Sequence, residues 1–230
     1  MKIAGIVGGI APESTVDYYR SIIATYRERT ADGSYPPILV DSIDLQRMLQ
    51  LAATDLIALA EYLVAEVERL ARAGADFVAL ASNTPHVVFD DLQRRSPVPL
   101  VSIVGAACEA AKAMRLRRLA LLGTRFTMQG RFYPDVFSES GIALVPPAPD
   151  ELAYVHERYM GELVKGEFLP ETRAKLLEIV LRMTKRDRID GVVLAGTELP
   201  LLLRGADEAI PFLDTTRIHV RTIVDRMLQP

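Results

Sequence analysis

The chain has 230 residues, half of them hydrophobic and a quarter charged, which is enough for one large domain or two small ones with a sizeable core. Its 27 basic and 30 acidic residues are spread along the sequence to a net charge of −3, so no block of like charge points to nucleic acid or an anionic membrane surface. The lone cysteine, Cys108, excludes an intrachain disulfide and a cysteine-rich metal site, the dispersed His86, His156 and His219 give no reason to expect a metal, and no apolar run approaches the ~20 residues of a membrane span.

Lys2 and a short apolar run broken by Gly8 and Gly9 do not make a signal peptide, so the cytoplasm is the expected location. That run, residues 2–7, reads as a buried strand, and Gly8 to Thr15 reads as a tight turn opening a helix. Glycines there let the backbone approach a ligand closely, and a helix N-terminus presents N–H groups to an anion. The following helix places Val16, Tyr19, Ile22, Ile23 and Tyr26 at three-to-four spacing, the stripe expected to face a sheet. Residues 37–43 form the next expected strand, running into a loop that carries Arg47. Thr54 and Asp55 cap a long packing helix with Leu59, Leu63, Val67 and Leu70 on one face, ending at Gly74.

Residues 76–81 are then an apolar strand that ends abruptly in Ser82, Asn83 and Thr84. Ligands of open parallel sheets sit outside the carboxyl ends of the strands, which makes these three residues candidates to hold a substrate. His86, four residues past Ser82, is either a proton relay or a hydrogen-bonded structural histidine. Residues 97–104 are expected to open the second half with a strand, and Cys108 lies among alanines in the next helix, the setting of a small core residue. Residues 119–124 repeat the strand-to-small-residue ending, and 142–145 form another strand. A helix begins near Asp150, and a second runs from Glu171 to about Lys185. Gly191 to Gly196 is a strand ending in Thr197 and Glu198, Leu199 to Leu203 a short buried helix, and Phe212 to Thr216 a last strand and cap before a helix that returns to the first lobe.

The alternation of strands and helices predicts an α/β protein of two similar lobes, each a parallel sheet flanked by helices, with the site in the cleft between them. The lobes are expected over residues 1–96 plus 211–230 and over 97–210.

Asn83-Thr84 after one strand and Thr197-Glu198 after another resemble the aspartate/glutamate racemase family, whose members carry Cys-Asn-Thr and Cys-Thr-Glu at these places. The resemblance covers essentially the whole chain, including a loop similar to the family's Gly-Gly-Met-Gly-Pro-Glu in which Ile10 and Ala11 replace Met and the third Gly. It implies chemistry without pyridoxal phosphate or any other cofactor, a small amino acid or carboxylate as the bound molecule, and a homodimer. It further implies that Ile10 lines the substrate site and that Arg47 and Lys165 hold a side-chain carboxylate. Asn83, Thr84, Thr124, Thr127 and Thr197 are implied around the α-carboxylate. Guanidinium suits the first task because it meets a carboxylate with two parallel hydrogen bonds.

Ser82 and Gly196 stand at the two cysteine positions. Racemisation needs a base on one face of the α-carbon and an acid on the other; in the family two thiols exchange these roles. A serine hydroxyl needs a neighbouring base before it can take a proton, and glycine offers no group at all. Racemase activity is therefore expected to be altered or lost, with Glu198, His86 or a water in the space left by Gly196 as substitutes. Three alternatives stay open: a lyase, isomerase or cyclase of the same fold; a non-catalytic binder of acidic amino acids; and an engineered Cys→Ser change at position 82. A dinucleotide site is rejected because Gly5, Gly8 and Gly9 do not follow G-x-G-x-x-G, and a serine hydrolase because Ser82 lacks the G-x-S-x-G elbow.

Overall fold

The computed structural model describes residues 1–204 and 210–229. Contacts divide the chain into one unit of Met1–Ile103 with Thr216–Pro230 and a second of Val104–Thr215. Each unit is built on a four-stranded parallel sheet flanked by helices, the α/β architecture expected.

In the first unit the elements run β1 (Ala4–Gly8), α1 (Pro12–Thr30), β2 (Ile38–Ser42), α2 (Leu45–Thr54), α3 (Leu56–Arg72), β3 (Phe77–Leu80), a 3₁₀ turn (Thr84–Val88), α4 (Phe89–Arg95) and β4 (Leu100–Val101). The strand order is β2-β1-β3-β4. β1 and β3 are buried at every residue, as strands covered by helices on both faces must be. On one side α3 packs Leu59, Leu63, Val67 and Leu70 against Val7, Val78 and Leu80. Each such buried side chain is worth about 1.5–3 kcal/mol. Asp55 starts α3 by accepting from the N–H groups of Ile57 and Ala58, both at 3.0 Å.

Three expectations are corrected here. The buried row of α1 is Ser14, Tyr18, Ile22 and Tyr26, while Val16 and Tyr19 are exposed. Both rows carry aromatic and aliphatic residues at helical spacing, and the choice is made by the C-terminal helix, α11 (Thr215–Leu228). Its Val220, Ile223, Val224 and Met227 pack against Tyr18, Ile22 and Tyr26, and its His219 Nδ1 lies 2.9 Å from the Tyr18 hydroxyl. Arg47 lies not in a loop but in α2, whose N-cap Asp44 accepts from the Arg47 N–H at 3.1 Å. The stretch expected to open the second half instead closes the first sheet, with Leu100 and Val101 paired to Val78 and Ala79 of β3. A short apolar run does not say which sheet it joins; only pairing does.

The second unit runs α5 (Ile103–Ala113), β5 (Arg118–Gly123), α6 (Arg125–Gln129), α7 (Phe132–Glu139), β6 (Ala143–Val145), α8 (Pro149–Gly161), a 3₁₀ turn (Leu163–Lys165), α9 (Pro170–Asp187), β7 (Gly191–Ala195), α10 (Leu199–Leu203) and β8 (Phe212–Asp214). The strand order, β6-β5-β7-β8, repeats that of the first sheet. One cluster joins Val155 and Tyr159 of α8 and Leu176, Ile179, Val180 and Met183 of α9 to Leu122 and Leu194 of the sheet. Cys108 is buried in α5, its sulfur 3.8 Å from the Val136 carbonyl and 3.5 Å from the Ser140 hydroxyl.

Candidate functional site

Because the strands of each sheet are parallel, their carboxyl ends share one edge, and the polar residues after them are gathered there. In the first unit β1, β2 and β3 are neighbours, which brings Gly8–Ile10, Ile43–Arg47 and Ser82–Thr84 to one edge. Gly9 sits at φ +81°, and a Cβ on it would lie 2.5 Å from the Ile43 carbonyl oxygen and 2.7 Å from the Ile43 nitrogen, so only glycine fits this crossing. Two details of this loop differ from expectation. The Gly9 N–H already donates to the Thr15 hydroxyl at 2.9 Å, and the Ile10 side chain is buried in the apolar cluster with Val7, Ile43 and Met48. A branched side chain in the third position of such a turn turns inward because water offers it nothing.

Ser82, Asn83 and Thr84 are all buried. His86, in the 3₁₀ turn behind them, is fully committed to the backbone. Its Nε2 accepts from the Ile103 N–H at 3.2 Å, which leaves Nδ1 as the protonated nitrogen, donating to the Ser82 carbonyl at 3.0 Å. The ring also stacks on Phe89, centroids 4.9 Å apart. Burial, reinforced by the neighbouring His219, lowers its pKa to about 3. The geometry is that of a brace holding the Ser82 loop, with no free lone pair for a substrate proton. Arg47 is exposed, its guanidinium 4.6 Å above the centre of the Tyr62 ring of α3.

In the second unit Gly123 pairs with Ala195, so Thr124 and Thr127 lie on the same edge as Gly196, Thr197 and Glu198. Thr124 caps α6, its hydroxyl accepting from the Thr127 N–H at 3.3 Å and standing 3.2 Å from the Thr127 hydroxyl. Glu198 is buried, and its Oε2 accepts from the Thr197 hydroxyl at 3.0 Å and from the Tyr159 hydroxyl. Lys165 ends the 3₁₀ turn after α8 and is exposed; Gly166, at φ +80°, follows it.

Tyr159 is the residue that the sequence did not reveal. It projects from α8, whose His156, one turn earlier, accepts from the Arg125 N–H at 3.2 Å. The helix therefore meets the loops after both β5 and β7. A Cβ placed on Gly196 would lie 2.7 Å from the Tyr159 hydroxyl oxygen and 2.9 Å from the ring carbon bearing it. The space expected to open at Gly196 for water or substrate is filled by this ring. Burial first, and then the Glu198 carboxylate, push the Tyr159 phenol well above its ordinary pKa. A glycine at the end of a buried strand is the one sequence signal that a neighbour packs against the backbone there. It does not say which neighbour.

Among the described residues no group of three or more His, Cys, Asp or Glu is placed to hold a metal ion, and no helix is long and apolar enough to cross a membrane.

A family model described as Asp/Glu/Hydantoin racemase matches residues 7–223. The broad specificity amino-acid racemase RacX of Bacillus subtilis (strain 168) is 21% identical over 227 residues, spanning 97% of each chain. Two solved structures align over the full length of both chains. One is an aspartate racemase homologue from Pyrococcus horikoshii OT3, at TM-score 0.88 and 33% identity. The other is a Yersinia pestis protein provisionally assigned as an Asp/Glu racemase, at TM-score 0.91 and 30% identity. Aspartate racemase from Picrophilus torridus, 18% identical with TM-score 0.79 over 99% of this chain and 94% of that one, shares the fold.

Proposed function

The chain belongs to the Asp/Glu/hydantoin racemase family, and from that premise we propose that it acts on an amino acid or a related small carboxylate by cofactor-independent α-proton chemistry, with two-thiol racemisation lost. Ser82 and Gly196 take the places of the two family cysteines. The observation that carries the proposal is the buried Glu198 carboxylate at the end of β7, bonded by the hydroxyls of Thr197 and Tyr159. A buried carboxylate held by hydroxyls can pass and receive protons, and buried titratable groups cluster at catalytic sites. The family of the Bacillus relative, named as a broad specificity amino-acid racemase, supports an amino acid as substrate.

Arg47 and Lys165, both exposed, take the distal carboxylate, and Asn83, Thr84, Thr124, Thr127 and Thr197 surround the α-carboxylate, with the Gly9–Ile10 backbone beside them. His86 braces the Ser82 loop. With one proton-transferring group rather than two, the same site suits a lyase, an isomerase other than a racemase, or a cyclase; the glycine at 196 favours this second assignment. Exposed Val16 and Tyr19 on α1 give a homodimer an apolar face.

Calorimetric titration with L- and D-aspartate, L- and D-glutamate and L-alanine tests the binding assignment. Acidic amino acids should bind, and Arg47→Ala should weaken them by about tenfold or more while leaving L-alanine unaffected, since a charge-assisted pair contributes about 1.5–3 kcal/mol. Unchanged affinity for the acids would remove Arg47 from the site.

A further inference from the structure

Gly196 leaves the end of β7 without a side chain, yet a hydroxyl stands beside it. The Tyr159 oxygen lies 2.7 Å from where a Cβ at 196 would be, and its proton is directed at Oε2 of Glu198. Both residues are almost wholly buried, and Thr197 donates to the same oxygen at 3.0 Å. Glycine at 196 and tyrosine at 159 thus form one unit, because any larger residue at 196 would strike the ring.

We propose that Tyr159 is the catalytic acid–base residue of the second unit, standing in for the absent side chain at 196 and driven by Glu198. The proposal rests on the α-proton chemistry assigned above. A phenol alone is a poor base at neutral pH, since its proton does not leave readily. Paired with a carboxylate it needs no phenolate. As the substrate Cα–H bond breaks, its proton passes to the Tyr159 oxygen, the Tyr159 proton passes to Glu198 Oε2, and the electron pair of the broken bond is taken up by the substrate's carboxylate as an enediolate. Glu198 ends as the neutral acid. While the enediolate persists, the hydroxyl of Tyr159 and the neutral acid of Glu198 exchange their protons with solvent. In reverse, Tyr159 gives a solvent-derived proton to carbon, Glu198 returns its own to the Tyr159 oxygen, and the charge returns to the Glu198 carboxylate, where the Thr197 hydroxyl stabilises it. Protons and charge balance in both directions, and no oxidant, reductant or metal enters.

Ser82 has a hydroxyl, but the nearest imidazole, His86, has one nitrogen accepting from Ile103 and the other donating to the Ser82 carbonyl. One such relay removes and returns the proton on a single face of the substrate.

The experiment is solvent exchange followed by NMR in D₂O with L- and D-aspartate, L- and D-glutamate and L-alanine, on the native chain, Tyr159→Phe and Glu198→Gln. Phenylalanine keeps the ring against Gly196, and calorimetry reports whether each variant still binds. The native chain should exchange the α-hydrogen of at least one probe. Tyr159→Phe should slow that exchange by ~10²-fold or more with affinity unchanged, and Glu198→Gln should do the same. If Tyr159→Phe exchanges at the native rate, or loses exchange only in proportion to affinity, Tyr159 is not the acid–base residue, while the α-proton chemistry stands. If the native chain exchanges none of the probes, the α-proton assignment falls and the relay with it.

Discussion

The Tyr159 ring occupies the space into which any side chain at position 196 would project, the hydroxyl oxygen lying 2.7 Å from an ideal Cβ there. Introducing a thiol by Gly196→Cys is therefore not a simple substitution. Gly196→Ala should cost about 1–3 kcal/mol, the usual price of overpacking a core, because Glu198 holds the ring in place. In a Tyr159→Ala background the same change should cost almost nothing, giving a coupling of about 1–3 kcal/mol in a urea-denaturation cycle. Additive effects would show that the two residues do not meet.

Ala11 lies at φ 47°, a conformation that favours glycine, at the N-cap of α1. Strain of about 1–3 kcal/mol is set against the extra chain entropy that glycine carries into the unfolded state, about 0.4–1 kcal/mol. Ala11→Gly should stabilise the protein by about 1 kcal/mol, seen as a raised Tm. A lowered Tm would mean that the alanine sits there without strain.

Two buried histidines set the acid limit of stability. Burial lowers His86 to about 3, with His219 adding to the effect, and burial lowers His219 to about 4. Both are neutral in the folded protein at pH 5, whereas the unfolded chain takes up their protons below about 6.5. The unfolded state then binds more protons than the folded one, so stability falls as pH drops from about 6.5 towards 4 and 3. At pH 5 the loss should be about 2 kcal/mol for each histidine. Urea midpoints at pH 7.5 and pH 5 measure it, and His219→Gln should flatten the dependence. Equal midpoints at the two pH values would contradict the buried, neutral assignment.

Much of the fold was legible because apolar runs ending in small polar residues, at Ser82, Thr124 and Thr197, mark strand ends in a parallel sheet. Their gathering at shared edges follows from strand order. What could not be read depends on contacts distant in sequence. The buried face of α1 is chosen by α11, through the bond between Tyr18 and His219. Whether His86 relays protons depends on the Ile103 N–H, which lies across the sheet end. Tyr159 reaches Gly196 only because α8 packs against β5, the neighbour of β7, and nothing in its own neighbourhood of sequence distinguishes it from the other core tyrosines.

A pair of acid–base groups on two faces would invert an amino acid; one phenol–carboxylate pair, removing and returning the proton on a single face, would not. Chiral chromatography of L-aspartate and L-glutamate held with the native protein, beside α-deuterium content of the recovered enantiomers, tests that difference most directly. The recovered amino acid should carry deuterium and keep its configuration, with D-enantiomer absent or formed far more slowly than deuterium enters. Appearance of D-enantiomer at the rate of deuterium entry would show that both faces are served and would contradict the single-face relay.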